Sequence, residues 1–152
     1  VSAMPCNLFG RNDHFDLERC HVLPALIRRF CDAVAEGRQE VVCWGTGTPL
    51  REFLNVDDMA SAVYFLFMNH DDPQIVNVGS SEEISIRELA ELVARLAGFQ
   101  GRILWDRTKP DGMKRKLMDS SKIRSLGWKP VISLEDGIAA QIEEYRSRVS
   151  GR

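Results

Sequence analysis

Four short segments of the sequence carry polar groups that a packed core does not need. The first is the apolar stretch Val1–Leu8, which contains Asn7 and is closed by Gly10. In open α/β sheets, ligands bind beyond the carboxyl ends of the strands, where Asn7 would present its side-chain amide. A plain turn from strand to loop explains the same residues, and this segment taken alone favours the turn.

His21 is the second candidate, because it stands at the predicted start of a helix. Apolar residues recur at helical spacing from Val22 to Val34, and Gly37 is the predicted stop. An imidazole at that position can relay a proton, whereas a capping or half-buried histidine needs no chemistry. Arg28 and Arg29 follow two turns later, where they can reach an anionic ligand or simply face solvent.

The third candidate is the segment WGTGTPLREF, residues 44–53, in which two glycines and a proline predict a tight loop. Trp44 offers a ring face on which a base or sugar can stack. Arg51 offers a planar fork for phosphate. Together they indicate a nucleotide-sugar site, with a surface hairpin as the alternative. The glycine spacing matches neither a P-loop nor a GxGxxG motif.

The fourth candidate is KPDGMKRK, residues 109–116, in which four Lys and Arg side chains surround Asp111-Gly112. A basic loop of this kind can clamp a pyrophosphate, or it can be solvated and do nothing. RNA binding requires aromatic platforms between the basic residues, and the segment has none.

The elements that must position these residues alternate between strands and helices, which predicts an α/β fold. The predicted strands are Val1–Leu8, Glu40–Trp44, Arg51–Val56, Ile75–Val78 and Arg102–Trp105. The predicted helices cover 21–36, a segment capped by Asp57 that runs to about Met68, a segment from the Ser85/Glu88 capping box to Gly98, a short helix opened by Asp119, and a last helix capped by Ser133. Residues Arg146–Arg152 are predicted to fray.

Composition excludes several classes of function. The 152 residues hold 20 Lys and Arg against 22 Asp and Glu, so nothing drives binding to nucleic acid or to a membrane surface. The longest apolar run is far shorter than a bilayer requires. The four cysteines, Cys6, Cys20, Cys31 and Cys43, form no CxxC pair, so we expect no metal site, reduced thiols and a cytoplasmic location. The abrupt start at Val1 leads us to expect a piece of a longer chain.

The order and wording of the segments carry a resemblance that no single segment does. The series MPCNLFG, HVLPALIRRF, WGTGTPLREFLNVDDMA, VNVGSSEEISIRELAELV, KPDGMKRKLMD and LGWKPVISLEDGI resembles the C-terminal part of the GDP-L-fucose synthase family, within the extended short-chain dehydrogenases/reductases. The resemblance implies that 1–152 form the substrate-binding α/β lobe together with the last strands and helices of an NAD(P)-binding Rossmann-type domain. The cofactor-binding N-terminal half would then lie outside this sequence.

The resemblance also implies roles for single residues. It implies a general acid at His21 and NADP(H) contacts at Pro5, Cys6, Asn7, Leu8 and His21. It implies GDP-sugar contacts at Arg29, Trp44, Arg51, Asp111 and Lys116. The implied reaction converts GDP-4-keto-6-deoxy-D-mannose to GDP-L-fucose, by epimerisation at C3 and C5 followed by NADPH-dependent reduction at C4.

The resemblance further implies a glycine-rich NADP loop, Ser and Tyr-x-x-x-Lys residues for the reduction and a cysteine base, and none of these can be found in this sequence. No GxxGxxG occurs, neither Tyr64 nor Tyr145 has a Lys four residues on, and no cysteine can be assigned as the base. We therefore expect the chain to be inactive alone and to expose the edges of its strands Val1–Leu8 and Ile75–Val78. A homodimer is possible by the same resemblance. Two alternatives stay open: a non-catalytic GDP-sugar-binding module, and an epimerase or dehydratase of UDP- or dTDP-sugars.

Overall fold

A computed structural model describes residues 1–151 of the chain and shows an α/β fold, as predicted. The strands are β1 (Ser2–Pro5), β2 (Asn7–Phe9), β3 (Glu40–Trp44), β4 (Leu50–Asn55), β5 (Ile75–Val78), β6 (Glu83–Ser85), β7 (Arg102–Asp106) and β8 (Arg115–Lys116). The helices are α1 (Val22–Ala35), α2 (Val56–Asn69), α3 (Ile86–Ala97), α4 (Ser121–Ser125) and α5 (Leu134–Ser150).

The strands pair mainly in parallel. β1 pairs with β5, and β3 pairs with β7 from Glu40 opposite Arg102 onwards. β4 is the central strand of the remaining sheet. Its second half pairs in parallel with β2, and its first half lies between antiparallel β6 and parallel β8. The two halves of β4 therefore join the segment after β1 to the basic loop, which is how distant parts of the sequence meet.

The single strand predicted for Val1–Leu8 is wrong, because the chain changes partner at Cys6. β1 runs beside β5, and the Cys6 N–H still donates to the Val78 carbonyl at 3.0 Å. From Asn7 onwards the chain pairs with β4 instead. The predicted exposed edges are present on one side of each strand, because within residues 1–151 β1 and β5 pair only with each other.

Two hydrophobic cores hold the elements together. The larger one is built under α1, α3 and α5, where side chains such as Ile27, Phe30 and Leu89 are fully buried. The smaller one packs α2 and α4 against the β1–β5 pair around Leu66 and Val76. None of the helices in the described residues is both long and apolar enough to cross a bilayer.

Buried polar side chains tie the loops to these cores. Asp58 is buried and accepts hydrogen bonds from the N–H groups of Val131 and Ile132, at 3.0 and 2.9 Å. Gln141 is buried on α5, and its amide donates to the Gly10 carbonyl and to Asp13, both at 3.0 Å. The loop that follows β2 is therefore fixed from the side of α5.

Local capping signals place most helix starts correctly. The Ser85/Glu88 capping box is present at α3, and Ser133 caps α5 through the Asp136 N–H. At α2 the prediction is wrong: the cap is Asn55, whose side-chain oxygen accepts from the Asp57 N–H at 2.9 Å. The predicted fraying from Arg146 is also wrong, because α5 continues to Ser150. Arg152 lies outside the described residues.

We expect Ser85→Ala to lower the free energy of unfolding by about 1 kcal/mol, because it removes the acceptor for the Glu88 N–H. Urea denaturation followed by circular dichroism measures the change. Ser147→Ala is the matched control, since its hydroxyl lies on the exposed surface of α5 and bonds only the Glu144 carbonyl. Equal unfolding midpoints for the Ser85→Ala variant and the unchanged chain would contradict the role of the capping box.

Candidate functional site

The structure brings six of the predicted site residues together around one cavity of about 660 Å³. The cavity opens where β2 ends and α1 begins, beside the paired strands β4 and β8. The six residues are Cys6, Asn7, Leu8, His21, Arg51 and Lys116. A second cavity of about 500 Å³ lies near the starts of α3 and α5, and none of the predicted residues lines it.

His21 stands at the cap position of α1, with an extended backbone at φ −71° and ψ 170°. Its carbonyl accepts from the Ala25 N–H at 3.1 Å and so begins the helix. Its side chain is exposed and makes no capping hydrogen bond to any described residue. The imidazole is thus not engaged in holding the helix, which leaves its nitrogens available to a molecule in the cavity.

Asn7 and Cys6 form the floor of the cavity where the chain passes from β1 to β2. The Asn7 side-chain amide donates to the Glu52 carbonyl at 2.7 Å, which ties β2 to the middle of β4. Burial, with the nearby charge of Glu52 adding to it, raises the pKa of the Cys6 thiol to about 12. Cys6 therefore stays a neutral thiol at pH 7 and is not a base or a nucleophile there.

Pro5 does not line this cavity and lies on the other side of Cys6 and Asn7. It ends β1 opposite Val78 and lines a neighbouring cavity of about 460 Å³, which shares Cys6, Asn7 and Lys116 with the first. Of the five residues predicted to contact the cofactor, Pro5 is the one outside the larger cavity.

Arg51 and Lys116 lie side by side because β4 and β8 are paired in parallel with these two residues in register. Arg51 Nη1 donates to two carbonyls, that of Leu50 at 2.7 Å and that of Met113 at 2.6 Å. The second bond holds the basic loop against β4. Two cations on one wall of the cavity make that wall attractive to an anion.

Trp44 and Arg29 form a second cluster outside this cavity. The Trp44 side chain is 61% exposed, and the Arg29 guanidinium carbon lies 5.4 Å from the centroid of its ring. Lys109 Nζ lies 5.6 Å from the same centroid. Arg29 follows His21 by eight residues of α1, which is about 12 Å along the helix axis. The ring is thus exposed to solvent at its rim and has two cationic groups over its faces or edges at cation–π distance.

Asp111 belongs to this second cluster because it is bound to the loop that follows Trp44. Both of its carboxylate oxygens accept from Thr46, one from the N–H at 2.8 Å and one from the hydroxyl at 2.6 Å. These hydrogen bonds lower the pKa of Asp111 below its usual value. Gly45 makes room for the carboxylate, since a Cβ there would lie 2.2 Å from Asp111 Oδ1.

Sequence reasoning missed two residues that organise the site: Glu52 and Thr46. Glu52 is completely buried and accepts from the N–H groups of Ser81 and Met118, at 2.7 and 3.0 Å. No local signal in the sequence marks Glu52, because an acid in a strand is usually solvated and its burial follows from contacts with distant segments. Among residues 1–151, no three His, Cys, Asp or Glu side chains are grouped closely enough to hold a metal ion.

Comparisons with known proteins find relatives that agree with one another in family. Residues 1–79 match the model of the NAD dependent epimerase/dehydratase family. GDP-L-fucose synthase 1 of Arabidopsis thaliana is 55% identical over 152 residues, which is 100% of this chain and 47% of the relative. GDP-L-fucose synthase of Escherichia coli K12 is 45% identical over 153 residues, covering 95% of this chain and 48% of the relative.

The solved structures include a GDP-L-fucose synthetase from Naegleria fowleri bound to NADP. It is 29% identical with a TM-score of 0.92, and the match covers 99% of this chain and 47% of that one. The chain thus spans about half the length of the curated relatives and of this solved structure.

Proposed function

The chain belongs to the NAD dependent epimerase/dehydratase family, and from that premise we propose that it is the GDP-sugar-binding part of a GDP-L-fucose synthase. The proposed reaction converts GDP-4-keto-6-deoxy-D-mannose to GDP-L-fucose, by epimerisation at C3 and C5 and reduction at C4. The observation that carries the proposal is the pairing of Arg51 with Lys116 on the wall of the cavity that His21 also lines.

The two clusters divide the substrate between them. Arg51 and Lys116 would hold the pyrophosphate, because a guanidinium and an ammonium together match its charge. Trp44 would stack on the nucleoside in place of a cation that now lies over its ring, with the Asp111 carboxylate held nearby by Thr46. Because His21 and Arg29 are about 12 Å apart along α1, one extended nucleotide-sugar can reach both ends.

His21 would act as the general acid of the two epimerisations. The ketone at C4 makes the hydrogens at C3 and C5 acidic, so that an ordinary side-chain base can remove them from one face. An acid on the opposite face must then return a proton to carbon for the configuration to invert. The His21 imidazole lines the cavity and makes no capping hydrogen bond to a described residue, which supports this role.

The cofactor in this proposal is NADP(H). Asn7 and Leu8 lie at the start of β2, where they line the cavity with Cys6 and His21, while Pro5 lies on its far side. These residues fit one wall of a dinucleotide site, and they would exclude water from it and orient the ring that it holds. Bound NADPH would supply the hydride for C4. No glycine-rich loop for its phosphates occurs in this sequence, so those contacts must come from elsewhere.

An N-terminal half would supply the contacts to the cofactor phosphates, since the relatives are about twice as long as this chain. We propose that the N-terminal half packs on the smaller core, as the first part of a Rossmann-type sheet that β1, β5 and α2 complete. The outer face of α2 supports this, since it exposes Val63, Tyr64, Phe67 and Met68, with Phe67 exposed by 78%. Large contiguous apolar patches on soluble proteins commonly mark interaction surfaces. The homodimer stays a prediction.

A cytoplasmic location is part of the same proposal. All four cysteines are free, and the two deepest, Cys31 and Cys43, have thiol pKa values that burial raises. Reduced thiols of this kind are the rule in the cytosol.

We expect the chain alone to oxidise no NADPH with the keto-sugar as substrate, because its sequence contains no glycine-rich NADP loop and no Tyr-x-x-x-Lys pair. Joining it to an N-terminal half from one of the relatives should restore the activity, measured as loss of absorbance at the nicotinamide band. Turnover by the purified chain alone would contradict the division of roles proposed above.

We expect Arg51→Met to raise the dissociation constant for GDP by about tenfold to a hundredfold, because a charge-assisted bond to phosphate is lost. Isothermal titration calorimetry measures the dissociation constant. Arg51→Lys keeps the charge, so its dissociation constant for GDP should lie between those of the unchanged chain and Arg51→Met. Arg38→Met is the matched control, since Arg38 pairs with Glu36 at the surface. An unchanged constant for a folded Arg51→Met variant would remove the support for the proposed site.

A further inference from the structure

The loop of residues 45–49 rests on the ring of Trp105. Gly47 lies against the indole, and a Cβ at this position would stand 2.7 Å from ring atom Cη2. The φ of Gly47 is +77°, a value that residues with side chains rarely adopt. The close contact and the backbone conformation both require glycine here, so the contact between the loop and the Trp105 ring depends on Gly47.

Arg87 holds the loop in contact with the Trp105 ring. Its guanidinium carbon lies 4.6 Å from the centroid of the Trp105 ring, within the range of a cation–π contact. Arg87 Nη2 donates to the Thr46 carbonyl at 2.7 Å, and the Arg87 main-chain N–H donates to the Gly47 carbonyl at 2.9 Å. One half-buried residue of α3 thus fixes two consecutive carbonyls of the loop.

Thr46 transmits this constraint to Asp111. Its N–H and its hydroxyl occupy both carboxylate oxygens of Asp111, so the carboxylate must follow any movement of Thr46. The same loop begins at Gly45, directly after Trp44. The guanidinium of Arg87, the loop and the carboxylate therefore form one connected unit beside Trp44.

We propose that Arg87 is a positioning residue for the GDP-sugar: it fixes the loop of residues 45–49 and, through Thr46, the Asp111 carboxylate beside Trp44. Arg87 does not line the cavity that contains His21, so it acts through the loop. The inference rests on the proposed function, because Trp44 and Asp111 are substrate contacts only under that proposal.

The test uses Arg87→Met in the chain joined to an N-terminal half. The KM for the GDP-sugar should rise about tenfold, since a hydrogen bond from a charged group is lost, while kcat stays the same. Arg87→Lys should recover part of the loss, because an ammonium can still donate to the Thr46 carbonyl. Arg95→Met is the matched control on the same helix, where Arg95 pairs with Glu135 at the surface.

A second readout in the same protein does not depend on the substrate. The ¹⁵N amide signal of Thr46 should shift as Asp111 is protonated, and this response should shrink in Arg87→Met. A folded Arg87→Met variant that keeps the parent KM, or keeps the Thr46 response, overturns the inference. If the parent protein fails to bind the GDP-sugar, the proposed function fails, whereas a response lost only in Arg87→Met still supports positioning by Arg87.

Discussion

In the chain joined to an N-terminal half, replacing His21 by Asn should lower the rate of inversion at C3 and C5 by about 10² to 10⁴, the usual contribution of a positioned general acid. The expected loss is specific to one half of the reaction. A base on the opposite face can still remove a hydrogen and return it to the same side. Exchange of that hydrogen with deuterium oxide, with retained configuration, should therefore continue. NMR of the sugar in deuterium oxide separates exchange from inversion.

His14→Asn is the matched control for this experiment. His14 lies in the loop that precedes α1, and its Nδ1 accepts from the Asp16 N–H at 3.3 Å. It does not line the cavity, so its replacement should leave inversion unchanged. Inversion at the parent rate in a folded His21→Asn variant would show that another group is the acid. Equal loss of exchange and inversion would show that His21 only supports the local structure.

Replacing Glu52 by Ala should lower the free energy of unfolding by about 1–3 kcal/mol, because the completely buried carboxylate that accepts hydrogen bonds from two N–H groups is lost. These groups belong to Ser81 and Met118, in segments far apart in the sequence. Gly79 packs directly on the carboxylate, where a Cβ would lie 2.2 Å from Oε1. Urea denaturation of the chain measures the change.

Glu52→Gln should cost less than Glu52→Ala, since one amide oxygen remains to accept a hydrogen bond. Glu82→Ala is the matched control, because Glu82 is exposed and its side chain makes no hydrogen bond to a described residue. If Glu52→Ala and Glu82→Ala unfold at the same urea concentration, the buried carboxylate does not hold these segments together.

The parts of the fold that local signals specify were predictable from sequence. The Ser85/Glu88 capping box and the apolar spacing in α1 need only neighbouring residues to be read. The break at Cys6 and the short strand β8 were not predictable, because each exists only through pairing with distant strands. At α2, Asn55 and Asp57 are equally good capping residues by type, and only the backbone shows that Asn55 is the cap.

The site residues also divide into those that residue type reveals and those that only the tertiary structure reveals. His21 and Arg51 attract attention by residue type, since imidazole and guanidinium groups outside a core suggest chemistry. Glu52 was missed because an acid in a strand is usually solvated, and its burial depends on amide groups about 30 and 66 residues away in sequence. Its role follows from tertiary structure alone.

The proposal that this chain binds a GDP-sugar is tested most directly by titrating it with GDP and with UDP, following the fluorescence of Trp44 against a Trp44→Phe control. We predict saturable quenching by GDP that Trp44→Phe loses, with much weaker quenching by UDP. A folded chain that binds UDP as tightly as GDP would instead indicate a relative acting on UDP-sugars, and one that binds neither would contradict the nucleotide-sugar site itself.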